Sequence, residues 1–181
     1  MISQDKIDKI KAVILDIDGV LTDGKIGYSD SPEEIKFFHV RDGSAIKMAL
    51  QSHLFVGVLS GRSSKANRRR AEELGLSFIY EGEKDKKKAF DRLLSEQNLT
   101  DEECLYIGDD FIDIPPLIKS GIGVIVGNAP EELDDFCDFR TNAFGGNGAV
   151  REAIVWLLKG QNKWNDLIKK YTLGLTCFFF T

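Results

Sequence analysis

Four apolar residues, Ala12 to Leu15, run straight into Asp16-Ile17-Asp18-Gly19. A run of Val, Ile and Leu with no polar alternation reads as a strand buried on both faces, so its carboxyl end is where the chain first meets solvent. Residues i and i+2 of an extended chain project to the same side, which aims the Asp16 and Asp18 carboxylates at one small volume. Two like charges held that close are costly unless a cation or a shared proton relieves them. The pattern reads as half of a metal site, or more plainly as two aspartates that end a strand and open a turn. Three later segments favour the metal site: LSGR at Leu59 to Arg62, a lysine near Lys86, and IGDDFID at Ile107 to Asp113.

The rest of the chain supplies a scaffold for that edge. Ser3 or Gln4 to Lys11 is expected as a short helical lead-in. Lys25 to Ser29 and Glu34 to Val40 are β-prone runs around Asp30-Ser31-Pro32, which predicts a hairpin at about 25–40. A helix follows Arg41-Asp42-Gly43, with Asp42 or Ser44 as its N-cap. Strands are expected at Phe55 to Leu59, Phe78 to Tyr80, Cys104 to Ile107, Gly123 to Val126 and Phe139-Arg140. Helices are expected at Ser64 to Leu74, Asp85 to Gln97, Ile114 to Ser120, from Pro130, and finally at Ala149 to Leu158. This alternation predicts an α/β, Rossmann-like fold, a parallel sheet with helices on both faces and a hairpin inserted after the first strand. In such sheets the ligand crevice lies beyond the carboxyl ends of the strands. Asp16, Ser60 and Asp109 all sit at those ends.

At 181 residues and 43% hydrophobic content the chain is long enough for one core, expected over residues 1–171 with an apolar tail at 172–181. A net charge of −5 gives no general attraction to nucleic acid or to an anionic membrane, so any phosphate must meet a local cluster of cations. The three cysteines, Cys104, Cys137 and Cys177, form no CxxC pair, which argues against a zinc site or a disulfide framework. The charged segment Met1 to Lys11 has no apolar stretch of the secretory kind, and the expected location is the cytoplasm.

DIDGVLTDG, LSGR, Asp85-Lys86 and IGDDFID match, in order, the four signature motifs of the haloacid dehalogenase superfamily, which the chain resembles over nearly its whole length. FFHVRDG at Phe37 to Gly43 and GGNGAVRE at Gly145 to Glu152 are similar to motifs of the small subfamily that includes 3-deoxy-D-manno-octulosonate 8-phosphate phosphatase. The resemblance implies a Mg²⁺-dependent phosphatase without a large cap domain. Asp16 is then the nucleophile, whose carboxylate attacks phosphorus and splits one hard displacement into two. Asp18 is the acid and base. Mg²⁺ is implied at Asp16, at Asp109 and at the backbone carbonyl of Asp18. Ser60 and the neighbouring amides bond the phosphoryl group and Lys86 neutralises it. Asp113 is implied to orient metal-bound water or Lys86 and counted with the substrate side; Asp110 has no definite role.

Substrate contacts are implied at His39, Val40, Arg41, Asp42 and Gly43, and at Lys47, Gly61, Arg62 and Arg70, where an Arg fork suits a sugar-acid carboxylate. Locally, Arg68 to Arg70 equally reads as an exposed helix face, His39 as a packed residue, and Lys86 as one of several solvated lysines. The implied substrate is the eight-carbon sugar-acid 8-phosphate. A nine-carbon sugar-acid 9-phosphate and a non-catalytic oligomerisation module of the same fold are the alternatives. A homotetramer is implied, with the hairpin and the segment around Gly145 to Arg151 closing a neighbour's site.

Overall fold

The structure, a computed structural model, describes residues 2–28, 30 and 34–173. Its sequence opens with helix α1, Gln4–Lys9, begun by Ser3, whose hydroxyl accepts from the Lys6 amide at 3.4 Å. Strand β1, Ala12–Leu15, follows and is buried at every position. A two-strand antiparallel hairpin, β2 Gly27–Tyr28 with β3 Glu34–Ile35, separates β1 from helix α2, Val40–Gln51. Then come β4 Phe55–Ser60, α3 Lys65–Leu74, β5 Phe78–Glu81 and α4 Lys86–Gln97. The second half supplies β6 Cys104–Gly108, α5 Ile114–Lys119, β7 Ile122–Ile125, β8 Phe139–Arg140, α6 Ala149–Gly160 and α7 Trp164–Thr172.

The six long-range strands form one sheet in the order β5-β4-β1-β6-β7-β8, and every pairing is parallel. With β4 on one side and β6 on the other, β1 is satisfied by hydrogen bonds along both edges and by apolar packing above and below. Helix α2 packs on α6 while α4 packs on α5, giving a layer on each face. No large cap is present among the described residues. Chain order reverses direction between β1 and β6, so the crevice at their carboxyl ends is the natural ligand site of this architecture.

Three expectations needed correction. The segment after Pro130 is not an α-helix but a 3₁₀ stretch, Glu131–Phe136, in which only Leu133 is buried. A further helix, α7, follows the one expected to be last, with Leu167 buried against the core. Helix α2 begins at Val40, earlier than expected, with His39 in the N-cap place, and the Ser44 hydroxyl donates back to the Val40 carbonyl at 3.1 Å. The apolar tail from residue 174 lies outside the described residues.

Candidate active site

Gly19, with φ +98°, turns the chain sharply after β1. A Cβ there would stand 1.9 Å from the Asp109 carboxylate, so only glycine lets the β6 loop close on the β1 loop. Gly145 and Gly146 seal the same turn from the other side. A Cβ on Gly145 would meet the Gly19 carbonyl at 1.6 Å, and one on Gly146 would meet the Thr22 and Asp23 backbone at 2.3 Å. Backbones packed this tightly fix where the aspartates stand.

One carboxylate oxygen each from Asp16, Asp109 and Asp113 lies within 4.8 Å of the others. Lys86, at the start of α4, enters from below with its Nζ 3.0 Å from Asp16 Oδ1 and bonded to Asp113 Oδ1. Asp113 is fully buried and saturated. Its Oδ1 also accepts from the Tyr106 hydroxyl at 2.6 Å, and its Oδ2 accepts from the Asp109 and Asp110 amides at 3.1 and 3.2 Å. Of the two roles expected for Asp113, orienting metal-bound water or orienting Lys86, its bond to the Lys86 ammonium supports the second. Tyr106, which the sequence did not single out, completes that support with its oxygen 3.3 Å from Lys86 Nζ.

Asp16 Oδ1 and Asp109 Oδ1 are buried and accept no aligned hydrogen bond. Burial pushes Asp16 up to about 6 despite the opposing pull of Lys86, with Asp113 adding to the rise. Burial, then repulsion from Asp16 and Asp113, pushes Asp109 up to about 8. Lys86 keeps its proton because the two aspartates outweigh the cost of burying it. Two carboxylates crowded by like charge, Asp109 with a buried oxygen that has no partner and Asp16 with one met only by Lys86, suit a small hard cation that takes oxygen ligands and retains water.

Asp18 stands apart from this cluster. Its Oδ1 accepts from Lys36 Nζ at 2.6 Å, and Arg62 Nε lies 3.8 Å from Oδ2. Ser60, buried at the tip of β4, accepts from the Arg62 amide at 3.3 Å, and Gly61 follows it at the rim. Arg62 is held by Glu34 of the hairpin. Arg70 stacks over Phe38 at 5.6 Å and pairs with Glu73 at 3.3 Å, packed so closely on Gly43 that a Cβ there would push its guanidinium aside. With Glu34 and Lys65 it lines a cleft of about 520 Å³ between the hairpin and α3. Val40 and Arg41 are exposed, Lys47 is half-buried on α2, and His39 Nδ1 lies 3.6 Å from Asp42. Asp42, expected at the substrate, is buried and engaged elsewhere: its two oxygens accept from the Gly148 and Arg151 amides at 3.1 and 2.7 Å. Asp110 is exposed and caps its own turn through the Phe111 amide at 2.7 Å.

The model of one family, described as haloacid dehalogenase-like hydrolase, matches residues 72–154. The chain is 41% identical over 160 residues to 3-deoxy-D-manno-octulosonate 8-phosphate phosphatase KdsC of Haemophilus influenzae, covering 88% of this chain and 89% of that protein. The chain belongs to the haloacid dehalogenase-like hydrolases. Among members of this family, the KdsC phosphatase of Escherichia coli K12 is 40% identical over 161 residues, covering 89% of this chain and 86% of its own. A crystal structure of the Moraxella catarrhalis 3-deoxy-D-manno-octulosonate 8-phosphate phosphatase, in complex with magnesium, phosphate and KDO, superposes with a TM-score of 0.89. It is 38% identical and covers 93% of this chain and 97% of that one. The cobalt-bound Haemophilus influenzae enzyme superposes at 0.84, 41% identical, over 87% of this chain and 92% of that one. This haloacid dehalogenase-like hydrolase is accordingly a phosphoric monoester hydrolase with Mg²⁺ as its cofactor, and the converging carboxylates of Asp16 and Asp109 fit that ion.

Proposed function

We propose that this chain hydrolyses a sugar-acid phosphate monoester, 3-deoxy-D-manno-octulosonate 8-phosphate, through an aspartyl-phosphate on Asp16. The observation that carries the reading is the convergence of Asp16 and Asp109 at the switch point of the sheet, with Asp109 Oδ1 buried and unpartnered and Asp16 Oδ1 met by the ammonium of Lys86 at 3.0 Å. The substrate comes from the names of the relatives.

In the first step an Asp16 oxygen bonds to phosphorus as the bond from phosphorus to the sugar oxygen breaks, and Asp18 gives that oxygen a proton. In the second, Asp18 takes a proton from water whose oxygen attacks phosphorus, and the Asp16 bond breaks to release inorganic phosphate. Lys86 and the Ser60 hydroxyl bind the transferring phosphoryl oxygens. Asp16, Asp109 and the Asp18 carbonyl would hold Mg²⁺, which when bound lets an anionic nucleophile approach an anionic phosphate. Arg62, Arg70 and Lys47, with the rim formed by Gly61, His39 to Arg41 and Gly43, receive the sugar acid.

The working form is a homotetramer in the cytoplasm. Tyr28, Phe37 and Val40, on or beside the hairpin, are each more than three-quarters exposed, an apolar face suited to a second copy of the chain. Among the described residues no helix is long and apolar enough to cross a membrane. The test is a panel of phosphate esters with and without Mg²⁺, in which the eight-carbon acid should give the highest kcat/KM. Preference for a nine-carbon acid would move the substrate assignment, and no turnover of any ester by folded protein would leave only the oligomerisation module.

A further inference from the structure

Lys36 and Phe37 are neighbours just beyond β3, and their burial is the reverse of what their chemistry favours. The lysine side chain is 1% exposed, whereas Phe37 is 79% exposed. Lysine is among the residues least often fully buried, and it is tolerated inside only when paired. Here the pairing is specific. Lys36 Nζ donates to Asp18 Oδ1 at 2.6 Å and lies 3.9 Å from Glu34 Oε2. Glu34 also holds Arg62, whose Nε lies 3.8 Å from Asp18 Oδ2, closing a ring of alternating charge between the hairpin and the loops after β1 and β4. Within that ring the two Asp18 oxygens differ. Oδ1 is clamped by Lys36, while Oδ2 is buried and accepts no hydrogen bond.

We infer that Lys36 is a positioning residue for proton transfer: by clamping one oxygen of Asp18 it keeps the other aimed at the leaving-group oxygen. This inference rests on the phosphatase reading above. The hairpin then serves its own subunit's chemistry as well as any neighbouring copy. A carboxylate that exchanges a proton with a leaving group must hold its orientation to within a fraction of an ångström, and a loop aspartate flanked by Asp16 and Glu34 would otherwise turn toward solvent or toward Arg62.

The experiment compares an alkyl phosphate ester, whose leaving oxygen needs a proton, with p-nitrophenyl phosphate, whose leaving group departs as the anion. Lys36→Met and Lys36→Gln should lower kcat/KM, which reports the leaving-group step and not the later hydrolysis that both esters share, by about 10- to 100-fold on the alkyl ester, with kcat/KM on the aryl ester within about threefold of wild type. Lys36→Arg should recover most of the loss, and Lys36→Met should cost nothing further in an Asp18→Asn background. Equal losses on both esters, or a full additional loss in the Asp18→Asn background, would overturn the role of Lys36 and leave it a structural ion pair. Wild-type protein inert toward both esters would instead overturn the phosphatase reading, and the inference with it.

Discussion

Asp16 and Asp109 are where single residues matter most, because each is buried next to charge of its own sign. Replacing Asp16 with Asn keeps the shape and removes both the proposed nucleophile and one proposed metal oxygen. Turnover should fall by at least about 10³-fold while the melting temperature of the metal-free protein holds or rises, since a repulsive charge has been removed. A variant with wild-type turnover would remove Asp16 from the nucleophile role. The same repulsion sets a pH dependence. Carboxyls pushed up to about 6 and about 8 by burial bind protons in the folded state that the unfolded chain releases near pH 4. Between pH 4 and 8 the folded protein therefore holds more protons than the unfolded one, and stability without metal should decline as pH rises. Mg²⁺ takes the place of those protons, so the gain in melting temperature from adding Mg²⁺ should grow from pH 5 to pH 8. Melting scans in chelator and in Mg²⁺ check this, and Asp109→Asn should flatten the trend.

At the scale of elements, the loops around the site are held by contacts remote in sequence. Asp42 sits in the first turn of α2 but caps α6, accepting from the amides of Gly148 and Arg151. Asp42→Ala would leave two partly buried amides without acceptors and should cost about 1–2 kcal/mol in urea unfolding, through a loss at the start of α6. Gly145→Ala would drive a methyl into the Gly19 carbonyl and should cost about 1–3 kcal/mol, with activity falling further than stability because that turn carries Asp18. These contacts explain what was legible beforehand. The strands were readable because β1, β4, β6 and β7 are apolar runs buried on both faces, and the acidic and glycine signals at their ends followed chain order. Asp42 was not, because its pattern matches a local N-cap and its partners lie more than a hundred residues away. Lys36 was hidden for the opposite reason: nothing in IKFFHV says that the lysine turns in and the phenylalanine out. In the 3₁₀ stretch Glu131–Phe136, four of six residues are acidic and one is buried, too little apolar surface to sustain the α-helix that Pro130 suggested. Helix α7 was readable from Trp164, Leu167, Ile168 and Tyr171 at helical spacing, and the apolar residues after it drew attention to the tail instead.

For the molecule as a whole, the hairpin is the part whose surface and interior disagree. Its inner side delivers Glu34 and Lys36 to the charges around Asp18, yet its outer side leaves Tyr28 and Phe37 in solvent, with Val40 beside them at the start of α2. A subunit gains nothing by exposing two large aromatics on a strand pair only two residues long on each side, and such a ribbon is marginal by itself. A second copy covering that face would bury the aromatics and stiffen the ribbon, and so stiffen the ring that holds Asp18. Assembly and activity should therefore fall together. In Tyr28→Ser/Phe37→Ser, each lost aromatic anchor should cost roughly 2 kcal/mol of association. Light scattering after size exclusion should then show four copies for the wild type and a smaller species for the variant at micromolar concentration. Hydrolysis of the sugar-acid phosphate should drop with the assembly and recover as protein concentration is raised. A variant that remains tetrameric, or a wild-type protein that runs as a monomer with full activity, would show that the exposed face serves something other than a second copy of the chain.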